Sequence, residues 1–374
     1  MRRLPIFLVV DISESMAGQN ISLMQQGLGR LISQLREDPF TLEMAYIEVI
    51  AFAGRAKVLT PLVDLMSLNP PDLPLGSGTS IGQALDLVMN RIDSQVIKNS
   101  EGKKGDYKPL VYFLTDGAGT DNANAAIRRW KSSYSRSAKL IAIGVGKYAD
   151  LRIFQDISDL TYRVENSDLS LAYKTLIQSI KDSIQSQSRS VGMGKDMTPE
   201  VRETNGVAIA RGNNARGIDE NFAIFIGKCS RHRLPYIMKY EKFDIVSKNY
   251  PPTLPYEIRT QLEMLPREVL QQLAAKQPEG FYCPVGIYAA DSSFDSWSDT
   301  SGVAQTVQAS QLMGSAGSCP HCHNDDTSGI HRGCGFLCDS SHSTSVTCPH
   351  CNMNLYKDSG GGSGFDFAIN RSKG

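Results

Sequence analysis

Leu4 to Val10 is an unbroken apolar run that stops at a carboxylate, Asp11. Such a run reads as a strand buried on both faces. From about Asn20 to Leu35 the pattern changes: Met24, Leu28, Leu31, Ile32 and Leu35 recur at helical spacing on one apolar face. Tyr46–Phe52 is a second strand, Lys57–Leu62 a short edge strand, and Ile81, Leu85, Val88 and Ile92 mark a helix after Thr79. Val111–Thr115 is again a buried strand. A helix from Asp121 to Tyr134, a strand from Ala138 to Val145, a short helix from Asp150 to Ile157 and a last strand from Thr161 to Val164 follow. Ala172, Leu176, Ile180 and Ile184 form the face of a closing helix. This alternation predicts an α/β fold with a doubly wound, mostly parallel sheet covered by helices on both faces.

After Ile184 the composition turns to Gln, Ser and Gly, which cannot pack a core and reads as a linker. The expected organisation is an α/β domain over 1–190, a linker over 191–204 and a mixed α/β region over 205–315. A small Cys/His zinc-ribbon-like module over 316–358 and a flexible tail over 359–374 complete it. Within the middle region Phe222–Ile226 and Tyr236–Tyr240 read as strands, Tyr256–Lys276 as helix interrupted at Pro266, and Ser292–Gly317 as loop or connector.

The strand ends carry the first chemistry. Asp11, Ser13 and Ser15 alternate past the first strand, so a carboxylate and two hydroxyls turn toward one point, where an open α/β sheet presents its ligand crevice. Gly76-Ser77-Gly78-Thr79-Ser80 puts the Thr79 hydroxyl on a glycine-flanked loop at a helix start, and Asp116-Gly117 ends the 111–115 strand facing Asp11. An all-oxygen set suits a hard ion: Mg2+, Mn2+ or Ca2+. Hydroxyls that merely cap a helix would account for one of these segments but not for three.

In this order and spacing the three segments resemble the von Willebrand factor A domain and its metal-ion-dependent adhesion site, over residues 4 to 188. The resemblance implies that Asp11, Ser13 and Ser15 bind the metal directly or through water, and that Thr79 joins when a partner is engaged. It implies that Asp116 contributes directly or through a bridging water. A divalent ion so held keeps an open position for a partner's Asp or Glu.

Cysteine supplies the second chemistry. Cys319-Pro320-His321-Cys322 and Cys348-Pro349-His350-Cys351 are two CxxC knuckles with residues 323–347 between them, the spacing of a zinc ribbon. The expected ligands of one closed, structural four-thiolate zinc site are Cys319, Cys322, Cys348 and Cys351. Between them His331, Cys334, Cys338 and His342 either close a second zinc site or stand in the ribbon loop as exposed histidines and spare thiols. Cys229 and Cys283, without a partner pattern, read as buried structural thiols.

Composition narrows the function classes. Lys plus Arg and Asp plus Glu number 39 each, so no global field points to nucleic acid. From Ser318 to Tyr356 the sole Arg or Lys is Arg332, which argues against phosphate binding by the Cys/His module. All six histidines stand at or beyond His232, leaving no histidine base beside Ser13 or Ser15, and no GxxxxGK[ST] or HExxH motif occurs. A non-catalytic reading is therefore preferred over a metal-dependent hydrolase. The amino-terminal apolar run is too short for a signal peptide or a membrane span, which favours a cytoplasmic protein.

An amino-terminal von Willebrand A domain joined to a carboxy-terminal Cys/His module resembles the TerY-like proteins of bacterial tellurium-resistance and stress-response clusters. That resemblance implies a scaffold or regulator working beside a protein kinase and a metal-dependent protein phosphatase. The Ser186–Ser190 stretch is then an expected phosphorylation region.

Overall fold

The computed structural model describes residues 2–145, 149–164, 169–192, 207–209, 221–277, 280–299, 306–331, 334–340, 342–356 and 368–370. They form two compact units: one of residues 1–218 together with 296–300, the other of residues 219–295 and 301–373.

The first unit is built on β1 (Leu4–Asp11), α1 (Gln19–Leu35), α2 (Pro39–Met44), β2 (Ala45–Phe52), β3 (Ala56–Asp64), α3 (Ile81–Gln95), β4 (Leu110–Thr115), α4 (Asn124–Ser133), β5 (Lys139–Val145), β6 (Leu160–Val164), α5 (Leu169–Gly192) and β7 (Val207–Ile209). Its seven strands lie in the order β3-β2-β1-β4-β5-β6-β7. The five inner strands are parallel; β3 and β7 run antiparallel at the edges. Residues of β1 alternate between two cores. Leu4, Ile6, Leu8 and Val10 pack with the apolar faces of α1 and α5, whereas Phe7 and Val9 pack with α3 and α4. Because β1 is flanked by β2 on one side and β4 on the other, the strand order reverses there, and the crevice opens past the ends of β1 and β4.

The stretch expected to be a short helix over 150–157 is a 3-10 turn at Arg152–Phe154. A larger difference concerns 185–190, expected as linker. Helix α5 continues to Gly192, Gln187 and Ser188 are buried, and Arg189 pairs with Asp38 at 2.7 Å. Polar composition misled here because these side chains find partners: the Ser188 hydroxyl donates to the Ile184 carbonyl at 2.9 Å. Most of the expected linker, 193–204, and the glycine-rich 360–364 lie outside the described residues.

The second unit comprises β8 (Phe222–Lys228), β9 (Pro235–Phe243), α6 (Tyr256–Met264), α7 (Arg267–Lys276), β10 (Phe281–Ala289), α8 (Phe294–Trp297, whose last two residues belong to the first unit), β11 (Thr306–Gln308), β12 (Asp326–His331), β13 (Gly335–Asp339), β14 (Ser345–Thr347), β15 (Asn354–Tyr356) and β16 (Ala368–Asn370). A five-stranded sheet of order β10-β9-β8-β13-β12 joins the middle region to the Cys/His module. The boundary expected near 315 thus falls inside one sheet, and a common core of Phe225, Tyr236, Met238, Phe336 and Cys338 spans it.

Candidate metal centres

At the end of β1 the backbone turns so that Ser13 N donates to Asp11 Oδ1 at 2.9 Å, and the Thr115 hydroxyl donates to Asp11 Oδ2 at 2.6 Å. The Ser13 and Ser15 hydroxyls lie 2.8 Å apart, and Ser15 donates to Asp116 Oδ1 at 2.7 Å. Asp11, Ser13, Ser15 and Asp116 thus form one hydrogen-bonded chain of oxygens. Burial, and next the neighbouring Asp116, push the Asp11 carboxyl up to about 7, against the opposing hydrogen bonds from Ser13 and Thr115. Burial followed by the same two carboxylates also raises Tyr173.

Thr79 completes the cluster from a third direction. Its hydroxyl is buried without a hydrogen-bond partner. A Cβ placed on Gly117 would stand 3.8 Å from Ser15 Oγ and 3.9 Å from Thr79 Oγ1, so both hydroxyls border the space above that glycine. Two carboxylates and three hydroxyls, one of them the orphaned buried oxygen of Thr79, fit a hard divalent cation, which would satisfy Thr79 and relieve the repulsion between Asp11 and Asp116.

Residues not anticipated from sequence fix the loop that carries Thr79. Glu14 is fully buried and accepts from Gly78 N at 2.6 Å and from the Ser77 hydroxyl at 3.0 Å. Thr79 N donates to Thr120 Oγ1, and Thr120 N donates to the Thr79 carbonyl. The Asp121 carboxylate accepts from Gly82 N and Gln83 N, both at 3.1 Å, at the positive end of α3. The sequence signal for Glu14 was available: a carboxylate between two serines that turn toward one point is left to point the opposite way.

The second unit brings its cysteines together in two clusters, each with ligand atoms within 4.8 Å of one another: Cys229, Cys319, Cys322 and Cys338, and His331, Cys334, Cys348 and Cys351. A tetrahedron with about 2.3 Å zinc–sulfur bonds has edges of about 3.8 Å, so both clusters fit zinc. The single site expected from Cys319, Cys322, Cys348 and Cys351 is not assembled, because the two knuckles belong to different clusters. Of the expected second set, His331 and Cys334 join the later knuckle, Cys338 joins the earlier one, and His342 is exposed and belongs to neither.

The reason lies in strand pairing. Parallel pairing of β13 with β8 matches Phe336 to Gly227 and Leu337 to Lys228; one residue further along stand Cys338 and Cys229. The antiparallel β12–β13 hairpin, with His331 opposite Gly335, carries His331 and Cys334 at its tip. Cys229, read as a structural thiol, sits in a turn that repeats both knuckles. Cys229 N donates to the Leu234 carbonyl and Arg233 N to the Cys229 carbonyl, as Cys319 and Cys348 do with residues four and five positions ahead, at 2.8–2.9 Å. Arg233, His323 and Asn352 close the three turns with φ of 60°, 62° and 66°. The Cys229-Ser-Arg-His232 spacing was the available signal. His321 and His350, inside the knuckles, bond the carbonyls of Pro235 and Phe336 instead.

Burial pushes the Cys322 and Cys334 thiols up to about 11, and Cys319 higher still, so without a cation these sulfurs hold their protons. Burial opposes ionisation of Cys229 too, but amide donors from His232 and Arg231 outweigh it and draw the thiol below its ordinary value. Cys283 is buried, raised by desolvation, and 3.6 Å from the Thr253 hydroxyl.

Residues 6–178 match the family model of the von Willebrand factor type A domain, and residues 245–374 that of the TerY-C metal binding domain. The chain is TerY-like. It pairs a von Willebrand factor type A domain with a Cys/His metal-binding domain, the combination of a metal-dependent interaction module. A comparison with curated proteins gives no match. Solved structures with similarity include proximal thread matrix protein 1 from the mussel byssus (19% identity, TM-score 0.35), of which it covers 47% with 47% of its own length. BatB from Bacteroides thetaiotaomicron (20%, 0.35) is matched over 49% of the TerY-like chain and 99% of BatB. A von Willebrand factor type A protein from Catenulispora acidiphila (16%, 0.38) is matched over 49% and 43%. The TerY-like chain thus spans about half the length of the mussel protein, and likeness at this level says nothing of chemistry. No helix among the described residues is long and apolar enough to cross a membrane.

Proposed function

We propose that this TerY-like chain is a non-catalytic, cytoplasmic scaffold whose amino-terminal unit grips a partner's Asp or Glu through a divalent ion. Asp11, Ser13, Ser15 and Asp116 hold that ion, Mg2+ or its Mn2+ or Ca2+ substitute, and Thr79 tightens on it when the partner's carboxylate arrives. The observation that carries this reading is the buried, unpartnered Thr79 hydroxyl, bordering the same space as Ser15 Oγ, beside the crowding of Asp11 by Asp116: without a cation, desolvation and repulsion are left uncompensated. The ion would supply a Lewis-acidic anchor; the chain supplies oxygens on two strand ends and one loop.

Two zinc ions fill the second unit in this proposal, one on Cys229, Cys319, Cys322 and Cys338, the other on His331, Cys334, Cys348 and Cys351. Each cluster offers four protein donors and leaves no open position, which makes both ions structural. The partners are a protein kinase and a metal-dependent protein phosphatase, as the TerY resemblance implies, in a stress or tellurite response. The absence of any histidine before His232 supports the non-catalytic reading.

Capture of the kinase and phosphatase by immobilised protein tests this. Binding with Mg2+ that disappears with EDTA, and with Asp11→Ala in Mg2+, is expected. Equal capture in all three conditions would sink it.

A further inference from the structure

The first unit contains five residues from far along the chain. Residues 296–300 belong to it, although 219–295 and 301–373 form the second unit and the surrounding sequence matches the TerY-C family model. Trp297 is 5% exposed and packs against Ile12, Ala51 and Ala53. Ile12 stands between Asp11 and Ser13. The indole also lies under Lys57 Nζ, 4.5 Å from the ring centre, and the Trp297 carbonyl accepts from Arg55 N at 2.9 Å.

From this anchor the next two residues take hold of the Thr79 loop. Ser77 N donates to Ser298 Oγ at 2.8 Å, and Asp299 N donates to the Ser77 carbonyl at 3.1 Å. Both backbone polar groups of Ser77 are thereby bound two residues before Thr79, while Glu14 holds the Ser77 hydroxyl and Gly78 N from the other side. Two glycines make the approach possible. A Cβ at Gly54 would fall 2.0 Å from Asp299 N and 2.4 Å from the Ser77 carbonyl oxygen, and one at Gly76 would fall 2.6 Å from Trp297 Cβ.

We propose that Trp297, Ser298 and Asp299 are positioning residues of the divalent-metal site, a strap that holds the Thr79 loop in register with Asp11, Ser13 and Ser15. A metal ligand on a glycine-flanked loop binds well only if the loop's freedom is removed beforehand. The bonds from Glu14 and Thr120 come from the first unit's own amino-terminal sequence; the strap adds a clamp supplied by a distant part of the chain. The affinity consequence rests on the metal-site reading above. The restraint on the loop does not.

Full-length protein is compared as wild type, Ser298→Ala, Trp297→Ala and Trp297→Phe, following hydrogen exchange in peptides over Gly76–Ser80 in EDTA and titrating Mn2+ by calorimetry. Ser298→Ala and Trp297→Ala are expected to speed exchange of the loop about tenfold, the equivalent of one buried hydrogen bond. Exchange in β5 should not move, and Trp297→Phe should restore most of the protection. Mn2+ affinity should fall by a similar factor in the two alanine variants. Unchanged loop exchange in Ser298→Ala would overturn the strap; this variant decides if Trp297→Ala also loosens β5. Absence of Mn2+ binding in the wild type would refute the metal reading, while the exchange data would still decide the strap.

Discussion

Replacing Asp11 by Asn should make the metal-free protein more stable and metal-blind at once. The Asp11 carboxyl is buried beside Asp116 and is pushed from an ordinary 3.8 to about 7. Its native state therefore holds a proton that the unfolded chain releases. That contribution to stability is complete below about pH 4 and is lost as pH rises through about 7. At about 1.4 kcal/mol per pH unit of difference, ionised Asp11 costs the native state about 4 kcal/mol above pH 8. Asn keeps an oxygen to accept from Ser13 N and presents an amide to Thr115 Oγ1, whose hydroxyl can turn to the Gly117 carbonyl at 3.4 Å. Denaturant titrations in EDTA, read by tryptophan fluorescence, report on the right unit because both tryptophans, Trp130 and Trp297, belong to it. The Asp11→Asn variant should exceed wild type by up to about 4 kcal/mol near pH 8.5, with the gap closing toward pH 4. Adding Mg2+ to a hundredfold excess over its Kd should return about 2.7 kcal/mol to the wild type and nothing to the variant. A variant no more stable than wild type in EDTA at pH 8.5, or an advantage that does not shrink on acidification, would refute the account of this site.

Cys229→Ser should lower bound zinc, measured by mass spectrometry of the metal, from two ions per chain to one, whereas His342→Ala should retain both; a ribbon site on Cys319, Cys322, Cys348 and Cys351 with a second site on His331, Cys334, Cys338 and His342 would reverse these expectations. Glu48 is buried in β2 and takes a two-pronged bond from Arg91 at 2.6 and 2.8 Å. Arg91→Met should cost about 3 kcal/mol by stranding that carboxylate, and adding Glu48→Gln should recover most of it in the same denaturant assay. Glu14→Gln leaves one acceptor where Gly78 N and the Ser77 hydroxyl need two, so thermal unfolding monitored by fluorescence should show a loss of about 1–2 kcal/mol.

Local pattern was enough for the parallel sheet and the strand-end oxygens. Apolar runs ending in Asp11 and Asp116, and the alternation of Ser13 and Ser15, are visible along the chain, and the side-chain period of an extended backbone fixes which residues face one point. Thr79 was legible for a similar reason, as a hydroxyl on a glycine-flanked helix start. The remaining features required the folded chain. The two CxxC knuckles look like a pair along the sequence, but the parallel register of β13 on β8 carries Cys338 to Cys229 and hands the second knuckle to the hairpin tip at His331 and Cys334. Residues 185–190 read as spacer because polarity predicts exposure until partners such as the Ile184 carbonyl for Ser188 and Asp38 for Arg189 are known. Trp297, with Phe294 in a stretch otherwise of Ser and Asp, carried no sustained period; its place beside Ile12 depends on contacts between residues far apart in sequence, which no local pattern encodes.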